Sequence, residues 1–127
     1  KGLVPAARGI GLMLDIYRAR DTFQNPESTF IDKFRFDTVI LSLSGLSTEG
    51  GAEVFAGIAW AERAMIRRSA RRILLVDHTK FGNSSLEKVC DLDEIHVLVT
   101  DAPPEGELLE ALSTADVQVT IAADGMG

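Results

Sequence analysis

Four consecutive residues, Asp77-His78-Thr79-Lys80, supply a carboxylate, an imidazole, a hydroxyl and an ammonium, with Phe81-Gly82 directly after them. A lysine ammonium is a good point-charge partner for a phosphate or sugar oxygen, and Gly82 lets the backbone turn beside it, although Lys80 reads equally as a solvated loop lysine. Asp77 supports two readings equally. It orients Lys80 or accepts from sugar hydroxyls, or it satisfies the loop amide two residues on. His78 has no obvious nucleophile and no metal-ligand spacing to His96, so it reads as an incidental loop residue. A second stretch, Ser44-Gly-Leu-Ser-Thr-Glu-Gly-Gly51, reads as a loop whose glycines allow close backbone approach to a ligand. It precedes a helix amino terminus, the setting of an anion cradle, although such a loop is more often an ordinary α/β connection. It is neither a Walker loop, since no Gly-Lys-Ser/Thr follows, nor a dinucleotide fingerprint. Ser42-Leu-Ser44-Gly45 lacks the flanking glycines of a nucleophile elbow.

The elements that must position these residues alternate in type. Ile73-Leu-Leu-Val76 is apolar without alternation, which predicts a strand covered on both faces of a parallel sheet. Ligands of open α/β sheets sit just beyond the carboxyl ends of such strands, where Asp77 to Gly82 falls. Thr38 to Leu43 predicts another strand. A long helix is expected from about Glu53 to Ala70, with Val54, Ile58, Ala61 and Met65 at helical spacing. Arg67, Arg68, Arg71 and Arg72 crowd its end, where cations complement exposed carbonyls. Leu86 to Val89 predicts a short helical turn, and Ile95 to Thr100 a strand ending at Asp101. Pro103-Pro104-Glu105 opens a helix with Leu108, Leu109 and Leu112 inward, and Val117 to Ile121 closes the sheet. Upstream, Leu12 to Tyr17 can form a strand. Asn25-Pro26-Glu27 starts a helix whose apolar face holds Phe30, Ile31 and Phe34. Such alternation implies right-handed crossovers and a mostly parallel sheet in a three-layer α/β domain.

The 127 residues, 46% hydrophobic, suit one core. A net charge of -6 argues against this chain by itself gripping a nucleic-acid backbone. Trp60 and Tyr17 are single aromatics with no stacking pattern. The one cysteine, Cys90, excludes an internal disulfide and a cysteine-rich metal site, and reads as a small buried side chain. No run reaches membrane-spanning length and no signal-peptide pattern opens the chain, so a cytoplasmic setting without membrane partners is expected. Nothing implies a metal or a cofactor.

In order and spacing, Asp37-Thr-Val-Ile-Leu-Ser-Leu-Ser-Gly45, Arg63-Ala-Met-Ile66, Leu74-Leu-Val-Asp-His-Thr-Lys-Phe-Gly82 and Val99-Thr-Asp101 resemble the C-terminal effector domain of the DeoR family of bacterial transcription regulators. The likeness runs from about Asp37 to Ala122. It implies a fold related to ribose-phosphate isomerases and a non-enzymatic sensor of a phosphorylated sugar or related metabolite. That sensor adjusts DNA binding by a separate helix-turn-helix domain and works as a homo-oligomer. By the same likeness Gly45, Ser47, Gly50, Glu62, Asp77, Lys80 and Gly82 border the effector pocket. The chain shows no helix-turn-helix and lacks the family's Asp-Ser-Gly-Thr-Thr phosphate loop and the Thr-Asn-Ser strand end after it. Residues 1–127 are therefore expected to be an effector-binding domain without its N-terminal part, reaching DNA only through a domain absent from this chain. Glu62 stands where the family often carries lysine, which replaces a cation of the expected pocket wall with an anion. Two other functions fit less well: an isomerase acting through Asp77 and Lys80, or an oligomerisation domain with an altered pocket, for which Ile58 and Glu62 speak.

Overall fold

A computed structural model describes residues 34–83 and 87–122. Along the chain run β1 (Phe36–Leu41), β2 (Gly45–Ser47), β3 (Gly50–Glu53), α1 (Ala56–Arg67), β4 (Ser69–Leu75), β5 (Glu87–Cys90), β6 (Val97–Thr100), α2 (Gly106–Thr114) and β7 (Gln118–Ile121). Short 3₁₀ turns occupy His78–Lys80 and Leu92–Glu94. The main sheet has the order β1-β4-β6-β7 and every neighbouring pair is parallel. A second, antiparallel sheet has the order β2-β3-β5.

Register shows where the core lies. Leu41, Leu74, Leu98 and Val119 stand side by side across the four parallel strands, so their side chains share one face. They pack with Ala59, Ala64 and Met65 of α1 and Leu112 of α2 in one cluster. The sheet always steps in the same direction, and right-handed crossovers then put both helices on that face. Residues on the alternate register, Ile40 and Ile73, are half-buried, and Leu75 is 43% exposed. The expected burial of β4 on both faces is therefore corrected to an alternation, Leu74 and Val76 in and Leu75 out. The strand expected at Leu12 to Tyr17 and the helix expected after Pro26 lie outside the described residues.

Helix α1 begins three residues later than its periodicity suggests, because Glu53 is held in β3. It ends at Arg67, and the Ser69 hydroxyl turns back to the Met65 carbonyl (2.6 Å), satisfying one of the terminal acceptors. Arg63 ties the helix to β5 by donating to the Lys88 carbonyl (2.7 Å). The helical turn expected at Leu86 to Val89 is, over its described part, strand β5. Pairing with β3 and burial of Val89 and Cys90 outweigh local propensity there. Of the three leucines expected inward on α2, Leu112 is buried and Leu108 packs against the core. Leu109 is 46% exposed, since it sits one helical step away from the row that Leu108 and Leu112 form at i, i+4.

Candidate functional site

The carboxyl ends of β4 and β6 are adjacent: the Val76 amide donates to the Val99 carbonyl (3.1 Å), which carries the next residues to one edge of the sheet. Asp77 caps the 3₁₀ turn. Its Oδ1 accepts the Thr79 amide (2.9 Å) and the Thr79 hydroxyl, and its Oδ2 lies 3.8 Å from Lys80 Nζ. The amide-satisfying and lysine-orienting readings of Asp77 thus hold together. The bond from the Thr79 hydroxyl, above all, keeps the Asp77 carboxyl below its ordinary range.

His78 departs from expectation. Its backbone amide donates to Asp101 Oδ1 (2.7 Å), and its ring Nδ1 lies 2.8 Å from Asp101 Oδ2. The ring contact is the main reason the Asp101 carboxyl sits below its ordinary range. A sequence signal existed: each residue follows a predicted strand, and the two strands prove to be neighbours. His96 has a structural task, its Nδ1 accepting the Arg72 amide (2.9 Å).

The turn then docks on the second sheet. The expected Ser44 to Gly51 loop is instead the β2–β3 hairpin, turning at Thr48-Glu49 with Gly50 at φ 124°. Gly82 donates its amide to the Leu46 carbonyl (2.7 Å), and Phe81 bridges to Leu46 in parallel register. Beside this seam a cavity of about 440 Å³ is walled by Ser47, Thr48, Glu49, Gly82, Glu107 and Leu108.

Of the residues expected to border a pocket, Ser47 and Gly82 stand in this wall, and Asp77 and Lys80 belong to the turn that Gly82 closes. Gly45 and Gly50 are required for another reason. A Cβ on Gly45 would stand 2.3 Å from the Asn83 carbonyl oxygen, and one on Gly50 2.0 Å from that of Cys90. Close backbone packing by itself demands glycine at both. Glu62 is not brought to this cavity. It lies on α1 at 2% exposure, and its nearest charged influence is Glu53 of β3. Its Oε1 has no hydrogen-bond partner, and burial, followed by Glu53, pushes its carboxyl up to about 8. A group so shifted is neutral at pH 7, so the anion expected in the pocket wall is a protonated acid in the interior. Glu53 accepts from the Ser44 hydroxyl and the Val54 amide (3.3 Å). Cys90 is buried, and its thiol is pushed up to about 12 by burial, which leaves it unreactive.

Among the described residues no group of three His, Cys, Asp or Glu side chains could hold a metal ion, and no helix is long and apolar enough to cross a membrane. The family model described as DeoR C terminal sensor domain matches residues 15–102. The chain is 32% identical over 107 residues to the glycerol-3-phosphate regulon repressor of Escherichia coli (strain K12), a match covering 82% of this chain and 42% of that protein. It is 34% identical over 87 residues to the transcriptional repressor AccR of Agrobacterium fabrum, covering 64% and 33%. It is 25% identical over 97 residues to the HTH-type transcriptional repressor GlcR of Bacillus subtilis, covering 76% and 38%. The matched region is thus less than half the length of each of these relatives.

Proposed function

Because this chain belongs to the family of DeoR C-terminal sensor domains, we propose that it binds a phosphorylated polyol or sugar beyond the carboxyl ends of β4 and β6. Binding there adjusts DNA recognition by a helix-turn-helix domain of the full-length protein, in the cytoplasm and as a homo-oligomer. The observation that carries this reading is the capped turn Asp77–Gly82, which presents Lys80 at the sheet edge and closes on the hairpin beside a cavity of about 440 Å³. Lys80 supplies the phosphate's point charge, and Ser47, Glu49 and Glu107 suit ligand hydroxyls. The name of the Escherichia coli relative makes glycerol 3-phosphate the first compound to try. A ligand can change DNA affinity only through different affinities for DNA-competent and incompetent states, and the docked turn and hairpin are the parts that would differ.

A thermal-shift screen of the full-length protein against glycerol 3-phosphate, other sugar phosphates, their unphosphorylated parents and inorganic phosphate tests the proposal. Selective stabilisation by one phosphate ester is the expected result. Silence across that panel from a folded protein would sink the sensor reading. Isomerisation of a sugar phosphate by the same protein would replace it with an enzymatic one.

A further inference from the structure

The Asp101–His78 contact is more specific than a loop staple needs to be. Both carboxylate oxygens of Asp101 are used, one by the His78 amide and one by its ring, at 2.7 and 2.8 Å. An ionised carboxylate only accepts, so the ring must donate, which assigns the proton to Nδ1. In the neutral imidazole that leaves Nε2 as an acceptor on the far edge of the ring. Among the described residues Nε2 has no hydrogen-bond partner, and the side chain is 57% exposed. Thus an oriented acceptor stands two residues from Lys80 at the sheet edge, its tautomer fixed by the residue that follows the neighbouring strand β6.

We propose that His78 is a ligand-binding residue of the effector site, accepting a hydrogen bond at Nε2 from a ligand hydroxyl, with Asp101 as its positioning residue. This rests on the sensor reading and deepens it. Lys80 recognises the phosphate, while His78 distinguishes a hydroxylated phosphate ester from phosphate alone.

Two measurements decide it. Nitrogen NMR of the ligand-free protein should show His78 protonated at Nδ1, and Asp101→Asn should remove that preference; an Nε2-protonated ring in the parent overturns the assignment without reference to any ligand. Calorimetry with glycerol 3-phosphate and with inorganic phosphate supplies the second. His78→Asn keeps a side-chain amide able to reach Asp101 but has no Nε2. It should weaken glycerol 3-phosphate at least tenfold, leave inorganic phosphate unchanged and keep the parent's melting temperature. Asp101→Asn should weaken the ester in the same selective way, and the double variant should be no worse than His78→Asn. Unchanged ester affinity in a folded His78→Asn protein defeats the assignment and leaves the sensor reading standing. A parent protein that binds neither probe defeats both.

Discussion

At the scale of single residues, Glu62 and Lys80 make opposite demands. Glu62 is buried with an unpartnered oxygen, and its carboxyl is raised from 4.5 to about 8. The folded protein therefore holds a proton that the unfolded chain has released. The stability that Glu62 contributes is full below pH 4.5 and is lost as the pH rises through about 8, by on the order of a few kcal/mol. Glu62→Gln keeps the shape without the titration. Urea unfolding on either side of that window should show the decline in the parent and a flatter profile in the variant. Lys80 sits at the sheet edge in an ion pair at 3.8 Å, of the partly exposed kind worth about 0–1 kcal/mol to stability. Lys80→Ala should leave unfolding nearly unchanged and weaken a phosphate ester by about 1–3 kcal/mol in calorimetry. A variant that binds as well as the parent would make Lys80 a surface residue.

At the scale of elements, the hairpin depends on glycine in ways a loop would not. Gly50 combines φ 124° with a carbonyl where its Cβ would go, so Gly50→Ala incurs both backbone strain and a clash. Gly106 has φ 61° with open space around it and incurs strain alone. Denaturant unfolding should place Gly106→Ala about 1 kcal/mol below the parent and Gly50→Ala about 3 kcal/mol or more below it. Equal losses would show that the hairpin moves to admit a methyl group. Of the arginines expected to complement the carbonyls at the end of α1, Arg68 and Arg72 reach acceptors outside that helix, and Arg71 and Arg72 belong to β4. Arg68 Nε donates to the Phe34 carbonyl (2.9 Å) and Arg72 to the Glu94 and Ser69 carbonyls, so backbone acceptors account for much of this cluster.

At the scale of the whole molecule, the two sheets meet where the proposed ligand sits. The Gly82 amide on the Leu46 carbonyl and the Phe81–Leu46 bridge join the Asp77 turn to the hairpin. A ligand at a hundred times its dissociation constant adds about 2.7 kcal/mol to the unfolding free energy. Hydrogen exchange should then slow together over residues 45–50 and 77–82, more than across β7, whose Gln118, Thr120 and Ile121 are exposed. Protection confined to one of the two segments would separate them and place the ligand elsewhere.

The alternation of strand and helix, the parallel sheet and the turn beyond Val76 were legible in the residues themselves. Apolar runs, proline-led helix starts and strand-end polar groups are local patterns, and the crossover rule converts them into topology. Two local readings gave way to tertiary structure: the Ser44 to Gly51 loop pairs as a hairpin, and the residues before Cys90 form its third strand. Neither segment has a strong period of its own, so partners distant in sequence decide its conformation. The same distinction separates the site residues. Asp77 and Lys80 declare themselves within four positions of one another, whereas His78 acquires its meaning from Asp101, 23 residues away. Glu62 looked like a pocket anion because sequence gives a residue's type but not its surroundings. Burial against the second sheet, with no partner for its oxygen, is what makes it a neutral acid in the interior.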